Sequence, residues 1–372
     1  MKSVLRIGIL LCVVLLVTSG LVQAQTDAKT FCGDLKAADC TLLTESEAAT
    51  KALESHSFKL DMTLDVSGIP NMPSDKLSFK LTGSGATAVD QKSMPDMSKF
   101  DPTSFAKDPK AIFDLLAKLI PGVSADLEFS LSIPPELTKD MKNTKLPNPL
   151  KLHLKLVEGV AYVNVGDFAD VVPQLKGAKG WMGMSLPDLM TAVMKQPQFN
   201  MSMGSMNSSM GMSADMMKLF SDPKTLATFI KIERLADSEV GSHKVAVFKT
   251  TLDYPAMFAM PAMQEMILQQ ATAAGAKLTE KDKKMILDQI QLMAKGMEFS
   301  STQSIDLENK YVLETTINMK FDFSSMKPMT GSAPVMTLQG TVTQADFNSV
   351  PKITAPEGAL VLPVDTVMPS KK

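Results

Sequence analysis

The chain has 372 residues, 38 of them basic and 40 acidic, for a net charge of −2 at pH 7. That length is ample for one large domain or two small ones. Arg234 is the only arginine beyond Arg6, and one tryptophan and three tyrosines leave little to stack on bases, so nucleic acid is excluded as a partner.

The first residues read as a secretory signal peptide, 1–24. Lys2 and Arg6 supply the positive region, 7–17 is a short apolar run, Ser19-Gly20 breaks it, and Val22-Gln23-Ala24 offers small-residue cleavage after Ala24. The run is too short for a comfortable membrane span, and no later stretch has the length or purity for one. An extracytoplasmic location follows, secreted or in the periplasm or cell envelope.

Cleavage removes Cys12 and leaves Cys32 and Cys40 in "FCGDLKAADC", within a lead-in at 25–49. In an exported chain such a pair most simply forms a local disulfide. A zinc site needs two further ligands, and no histidine lies nearby in sequence. Lipid modification of either cysteine needs small residues before it, which Thr30-Phe31 and Ala38-Asp39 do not supply.

Period-two segments come next. "FKLDMTLDV" (58–66) sets Phe58, Leu60, Met62, Leu64 and Val66 against Lys59, Asp61, Thr63 and Asp65. "LSFKL" (77–81), "LEFSLSI" (127–133), "LKLHLKL" (150–156) and "YVLETTINMKFDF" (311–323) repeat the pattern. Each predicts an antiparallel strand with one wet and one apolar face. Ser67-Gly68, Glu158-Gly159 and Glu308-Asn309-Lys310 mark turns.

Helical patterns fall at 108–120, 186–196, 221–232 and 254–297, the last with Thr279 and Asp282 as an N-cap for its second half. The order predicts an α+β fold: a curved antiparallel β-sheet, a half-barrel of about ten strands, with helices packed on its concave face. No internal repeat of solenoid length is evident.

Between the helical patterns, "NMSMGSMNSSMGMSADMM" (200–217) carries Met201, Met203, Met206, Met210, Met212, Met216 and Met217 among Ser, Gly and Asn. Gly204 and Gly211 weaken any helix there, so a loop is expected, a lid over a cavity mouth. Asn200-x-Ser202 and Asn207-x-Ser209 match the glycosylation sequon.

Three passages together resemble a known group. "GVAYVNVGD" (159–167) leads to "GW" at 180–181 and then to helices; "SEVGSHKVAVFKTTLD" (238–253) has a Gly-x-His turn entering a strand that ends in Leu-Asp; "TVTQADFNSVPKITAPEGA" (341–359) has a closing strand, an Asp-Phe step and a Val-x-Ile-x-x-Pro finish. In this order they are similar to the LolA-like and LppX/LprG-like lipoprotein-carrier fold family of cell-envelope proteins. The resemblance covers 50–358 and implies an apolar cavity between a half-open sheet and its helices, holding acyl chains of lipids or lipoproteins. Two features depart from the group. The lipidated cysteine at the mature start is missing, which leaves anchoring in doubt, and the helical insert at 182–232 is far richer in methionine. A tail at 359–372 follows.

The residues argue against catalysis. His56, His153 and His243 lie in or beside strand patterns, and neither Gly-x-Ser-x-Gly nor His-Glu-x-x-His occurs. Asp61 and Asp65 occupy a wet face, and no glycine-rich phosphate loop is present. No enzyme activity and no cofactor are expected.

The chain's 29 methionines are its chemical signature. Met257, Met260, Met263 and Met266 recur every third residue, and Met285, Met293 and Met297 follow. They are either core filling or a pliable apolar surface for a ligand. A rival for the 200–217 run is a Cu(I) site of thioethers from Met201, Met203, Met206, Met210 and Met212. The same excess at helical spacing, where copper motifs would be pointless, favours one explanation for all of them. The expected cavity residues are therefore Phe58, Leu60, Met62, Leu64, Phe129, Leu131, Leu152 and Leu154, with Met257, Met260, Met263 and Met266 as the helical wall. The expected role is non-enzymatic carriage of lipid or acylated cargo, with a membrane-surface or envelope protein as partner. The competing classes are the copper binder and a structural or adhesive envelope module with a solid core.

Overall fold

The computed structural model describes residues 30–70, 72–94, 110–138, 147–167, 179–194, 222–273, 278–326 and 332–364. The expected signal peptide at 1–24 and the methionine run at 200–217 lie outside the described residues.

The expected disulfide is present: Cys32 and Cys40 are bonded, with their Cα atoms 5.4 Å apart. The lead-in is more than a staple, because most of it joins helix α1 (Ala37–Lys51). Its apolar stripe is short, so periodicity alone did not reveal it. Ala and Glu favour the helix, and Glu47 and Lys51 pair at 2.7 Å one turn apart. Leu35, Leu42 and Leu43 pack on buried Ala246, Phe248 and Ile305, which fixes α1 to the sheet. Thr30 donates to the Glu47 carboxylate at 2.6 Å. Bonds from Lys51 first and Thr30 second hold the Glu47 carboxyl below its ordinary pKa.

A first meander runs β1 (Ser55–Ser67), β2 (Lys76–Val89), β3 (Val123–Ser132), β4 (Leu150–Val157), β5 (Val160–Asn164) and β6 (Trp181–Ser185). A second comprises β7 (Ile230–Arg234), β8 (Ser238–Val240), β9 (His243–Leu252), β10 (Met297–Asp306), β11 (Val312–Asp322) and β12 (Val335–Ala345). Strand β12 returns to lie antiparallel beside β1, so the meanders fuse into one sheet of thirteen strands. Its order is β13-β6-β5-β4-β3-β2-β1-β12-β11-β10-β9-β7, with β8 also on β9 and β13 (Leu360–Val361) parallel to β6. The outer strands β13 and β7 do not pair, so the curved sheet stays open. The count exceeds expectation partly because β8 and β13 are very short.

The remaining helices are α2 (Lys110–Leu119), α3 (Pro135–Thr138), α4 (Leu186–Met194), α5 (Pro223–Leu226), α6 (Tyr254–Ala259), α7 (Pro261–Ala273) and α8 (Glu280–Ala294). Three expectations need correction. The 221–232 helix lasts one turn, capped by Asp222, because Ile230 and Ile232 alternate and pair with β9 as strand β7. The 77–81 strand extends to Val89, because Gly83 and Gly85 sit inside the ladder and do not end it. The 254–297 block breaks at Met260, whose ψ of 133° is extended as a residue before proline prefers. Pro261 then starts α7, and Met297 already belongs to β10. The Thr279 cap holds as a capping box: its hydroxyl accepts from the Asp282 N–H, and the Asp282 carboxylate accepts from the Thr279 N–H.

Directly opposed residues share a sheet face. The register aligns Val342, Leu60, Gly83, Phe129 and Leu152 in one cross-strand row. That face is apolar along this row from β12 to β4, continues as Thr315 and Gln303 on β11 and β10, and returns to apolar Phe248 on β9. At the first-meander end, buried Ala125, Leu127, Phe129, Leu154 and Leu156 form a core with Leu116 of α2 and Leu189 and Met190 of α4 packed over it. At the other end α1 closes over Ala246, Phe248 and Ile305. The opposite face is polar, with apolar margins. Ile353 of the C-terminal segment packs there on Val157 and Tyr162.

Gly83 is required by close approach, since a Cβ there would lie 2.7 Å from Phe129 Cδ1 and 3.2 Å from the Glu128 carbonyl oxygen. Gly83→Ala should therefore lower the unfolding free energy by about 1–3 kcal/mol in urea titration. Replacing both Cys32 and Cys40 with serine should cost roughly 2.5 kcal/mol on the chain-entropy estimate for so short a loop, read by the same titration.

Candidate functional site

Between the two closed ends of the apolar face lies a stretch with no fully buried side chain. Met62, Leu64 and Val66 of β1 stand opposite Gly340, Leu338 and Met336 of β12. Beyond them the same rows continue as Ile317, Met319 and Phe321 of β11, then Ser301, Phe299 and Met297 of β10. Every one of these apolar side chains is only partly buried, unlike Leu127 at 3% or Phe248 at 2% exposure. Four strands at 4.7–4.9 Å spacing make this strip roughly 14 Å wide.

Phe58, Leu60, Met62, Leu64, Phe129, Leu131, Leu152 and Leu154 all lie on this one apolar face. They do not all serve one environment. Phe129 and Leu154 are buried in the core under α2 and α4, with Phe58, Leu60 and Leu152 packed against that core, while Met62 and Leu64 belong to the open strip. The methionine wall is discontinuous. Met257 sits on α6, Met260 in the break, and Met263 and Met266 on α7. Met263 is buried, the other three are half-buried, and Thr228 donates to the Met260 sulfur at 3.5 Å. Met285 of α8 is 51% exposed. The copper ligands Met201, Met203, Met206, Met210 and Met212 lie outside the described residues.

A depression of about 780 Å³ opens on the polar face. Two cross-strand rows line it. One runs Thr343, Lys59, Ser84, Glu128, His153, and the other Thr341, Asp61, Thr82, Ser130, Lys151. The alternation of each strand supplied these side chains to the wet face. Their assembly into a groove depends on inter-strand register, which a single sequence does not display.

His153 is the groove's most connected side chain. Its Nε2 meets the Asp126 carboxylate at 2.8 Å and its Nδ1 the Glu128 carboxylate at 3.4 Å. Trp181 stands edge-on to it with ring centroids 4.6 Å apart. Lys155 pairs with Asp126 at 2.8 Å. His56 lies apart beside Thr87, and burial lowers its pKa. His243 pairs with Asp306 at 3.3 Å. Of these three histidines, His56 faces a hydroxyl, Thr87 Oγ1 at 3.3 Å, and the other two face carboxylates. Among the described residues no group of three or more His, Cys, Asp or Glu is placed to hold a metal ion, and no helix is long and apolar enough to cross a membrane.

No protein-family model and no curated protein matches the chain. Among solved structures it is similar to the lipoprotein LppX of Mycobacterium tuberculosis, at 10% identity over 85% of this chain and 100% of that one, with a TM-score of 0.28. It is also similar to LprF of Mycobacterium bovis, at 9% identity over 86% and 96% of the two chains, TM-score 0.29. A DUF1329 family protein of Desulfovibrio piger matches at 6% identity over 84% and 92%, TM-score 0.19. These neighbours include the lipoprotein group that the sequence motifs resemble. At such TM-scores the functional reading rests on the geometry of the sheet.

The strip and the closed core should respond differently to substitution. Leu338→Lys and Met319→Lys, at half-exposed positions, should each change stability by about 1 kcal/mol or less. Leu127→Ala, at 3% exposure, should cost about 2–5 kcal/mol. Thermal and urea unfolding of the three variants checks the contrast.

Proposed function

We propose that the protein binds and carries lipid or lipidated cargo outside the cytoplasm, without catalysing a reaction. One observation carries the reading: the apolar face is closed at both ends, yet its middle four strands present a strip of partly buried Leu, Ile, Val, Phe and Met, interrupted by Gly340 and Ser301. An apolar patch maintained in a folded protein marks a place of contact. Each methylene moved from water onto it contributes about 0.8 kcal/mol, so an acyl chain can be held firmly with no strong polar contact. Methionine suits this use because its unbranched, polarizable side chain repacks around guests of varied shape.

The helices α6 to α8 are the natural covers. They leave the sheet after β9 and return at β10, beside the strip, and α6 touches α8 where Gln291 donates to the Pro255 carbonyl at 3.4 Å. Met257, Met260, Met263 and Met266 then line the helical side of the cavity. Location in the cell envelope, delivery by a signal peptide cleaved after Ala24, and exchange of cargo with a membrane surface or an envelope protein complete the reading. The Cys32–Cys40 disulfide suits an oxidising compartment.

Native mass spectrometry of the full chain purified from an expressing cell tests it. The expected result is a population with added lipid mass, which falls sharply in a Met319→Lys/Leu338→Lys variant that still unfolds cooperatively. Added copper mass with no lipid would move the function to the 200–217 run. No added mass, even after incubation with phospholipid or acylated peptide, would leave a structural module.

A further inference from the structure

The polar groove has no part in lipid carriage, since it lies across the sheet from the apolar strip. We propose that it is a second binding site, for an extended acidic glycan.

Its shape selects an elongated ligand. Each row crosses five adjacent strands, so at 4.7–4.9 Å per strand the groove runs roughly 19 Å. The floor is the middle of a sheet, where backbone N–H and C=O groups are already bonded between strands. An extended peptide, which adds to a sheet through main-chain bonds at an edge, gains nothing here. Recognition falls to side chains, and those on offer are hydroxyls, an amide and charges. That inventory matches a chain of hydroxyl groups, which both donate and accept.

Its charges select the sign. Of the groove's carboxylates, Asp61 is paired with Lys80 at 3.0 Å and Glu128 stands 3.4 Å from His153. Lys59 and Lys151, both exposed, have no carboxylate within ion-pair distance among the described residues. Two ammonium groups on different strands and in different rows are thus left for anionic groups spaced along the ligand. At the far end Asn164, itself part of the lining, stands opposite Trp181 in the ladder. The indole adjoins the groove through His153, edge-on at 4.6 Å, with Lys155 5.9 Å over the ring and Val157, Tyr162 and Ile353 packed nearby.

The acidic groups could come from a free polysaccharide or from lipid headgroups in a bilayer. The groove favours the polysaccharide, because a depression between two cross-strand rows of side chains admits a single chain more readily than a flat array of headgroups.

Trp181 is the only tryptophan, so its fluorescence reports on the groove without a label. The full chain is titrated with a galacturonate oligomer, a malto-oligosaccharide of equal length, and phosphatidylglycerol vesicles. The galacturonate oligomer should bind saturably and shift the emission, and rising salt should weaken it. The neutral oligomer should bind at least about tenfold more weakly, as should galacturonate to Lys59→Ala/Lys151→Ala. Lys59→Arg/Lys151→Arg should restore binding, which separates lost charge from lost structure. Lipid content by mass spectrometry should be unchanged in the alanine variant, so this site and the lipid site stand or fall separately. Absence of galacturonate binding, equal binding by the alanine variant, or binding to vesicles alone would each overturn the assignment.

Discussion

The pairing of β1 with β12 is the constraint on which the rest depends. It joins the first strand to the last long one and converts two meanders into a single sheet. Because side chains alternate with period two, a slip of one residue at this seam would turn Lys59, Asp61 and Asp65 to the apolar side. The seam carries its own lock. Gly340 lies opposite Met62, and a Cβ on Gly340 would fall 2.8 Å from Met62 Cγ, so only this register seats the methionine there. Lys76–Asp65 and Lys80–Asp61, at 2.9 and 3.0 Å, add exposed pairs across the neighbouring ladder, worth little in stability but consistent with the same register.

From that seam two unlike surfaces follow. The apolar face is capped by α2 and α4 at one end and by α1 at the other, so burial drives folding at the ends and leaves the centre available. Among the described residues the polar face is packed at its margins, by Ile353 and by the Tyr311–Phe347 stack with centroids 4.4 Å apart. A sheet more than ten strands wide has room for both uses, because the two faces share a backbone but no side chain.

Much of this was legible in the residues. The alternation of 58–66 and 150–156 gave the strands and their two faces, the spacing of Cys32 and Cys40 suggested the disulfide, and Thr279 with Asp282 marked a helix start. Other features were hidden for physical reasons. Gly83 and Gly85 resemble turn signals until Phe129 and Leu127 are seen packed over them. Helix α1 has too short an apolar stripe to announce itself, and 221–232 reads as a helix until β9 offers its edge to Ile230 and Ile232. The eight strand residues expected in the cavity share one face in the register. The division of that face into a closed core and an open strip depends on where α1, α2 and α4 land, which periodicity does not encode.

The central claim is that the open middle of the apolar face receives a hydrocarbon chain. Photo-crosslinking with a diazirine-bearing fatty acid, followed by peptide mapping, tests it most directly. The account predicts adducts concentrated on β1, β12, β11 and β10 at Met62, Leu338, Met319, Phe321 and their neighbours, with partners on α6 and α7. Adducts scattered over the polar face, or none above the level seen with unfolded protein, would contradict it.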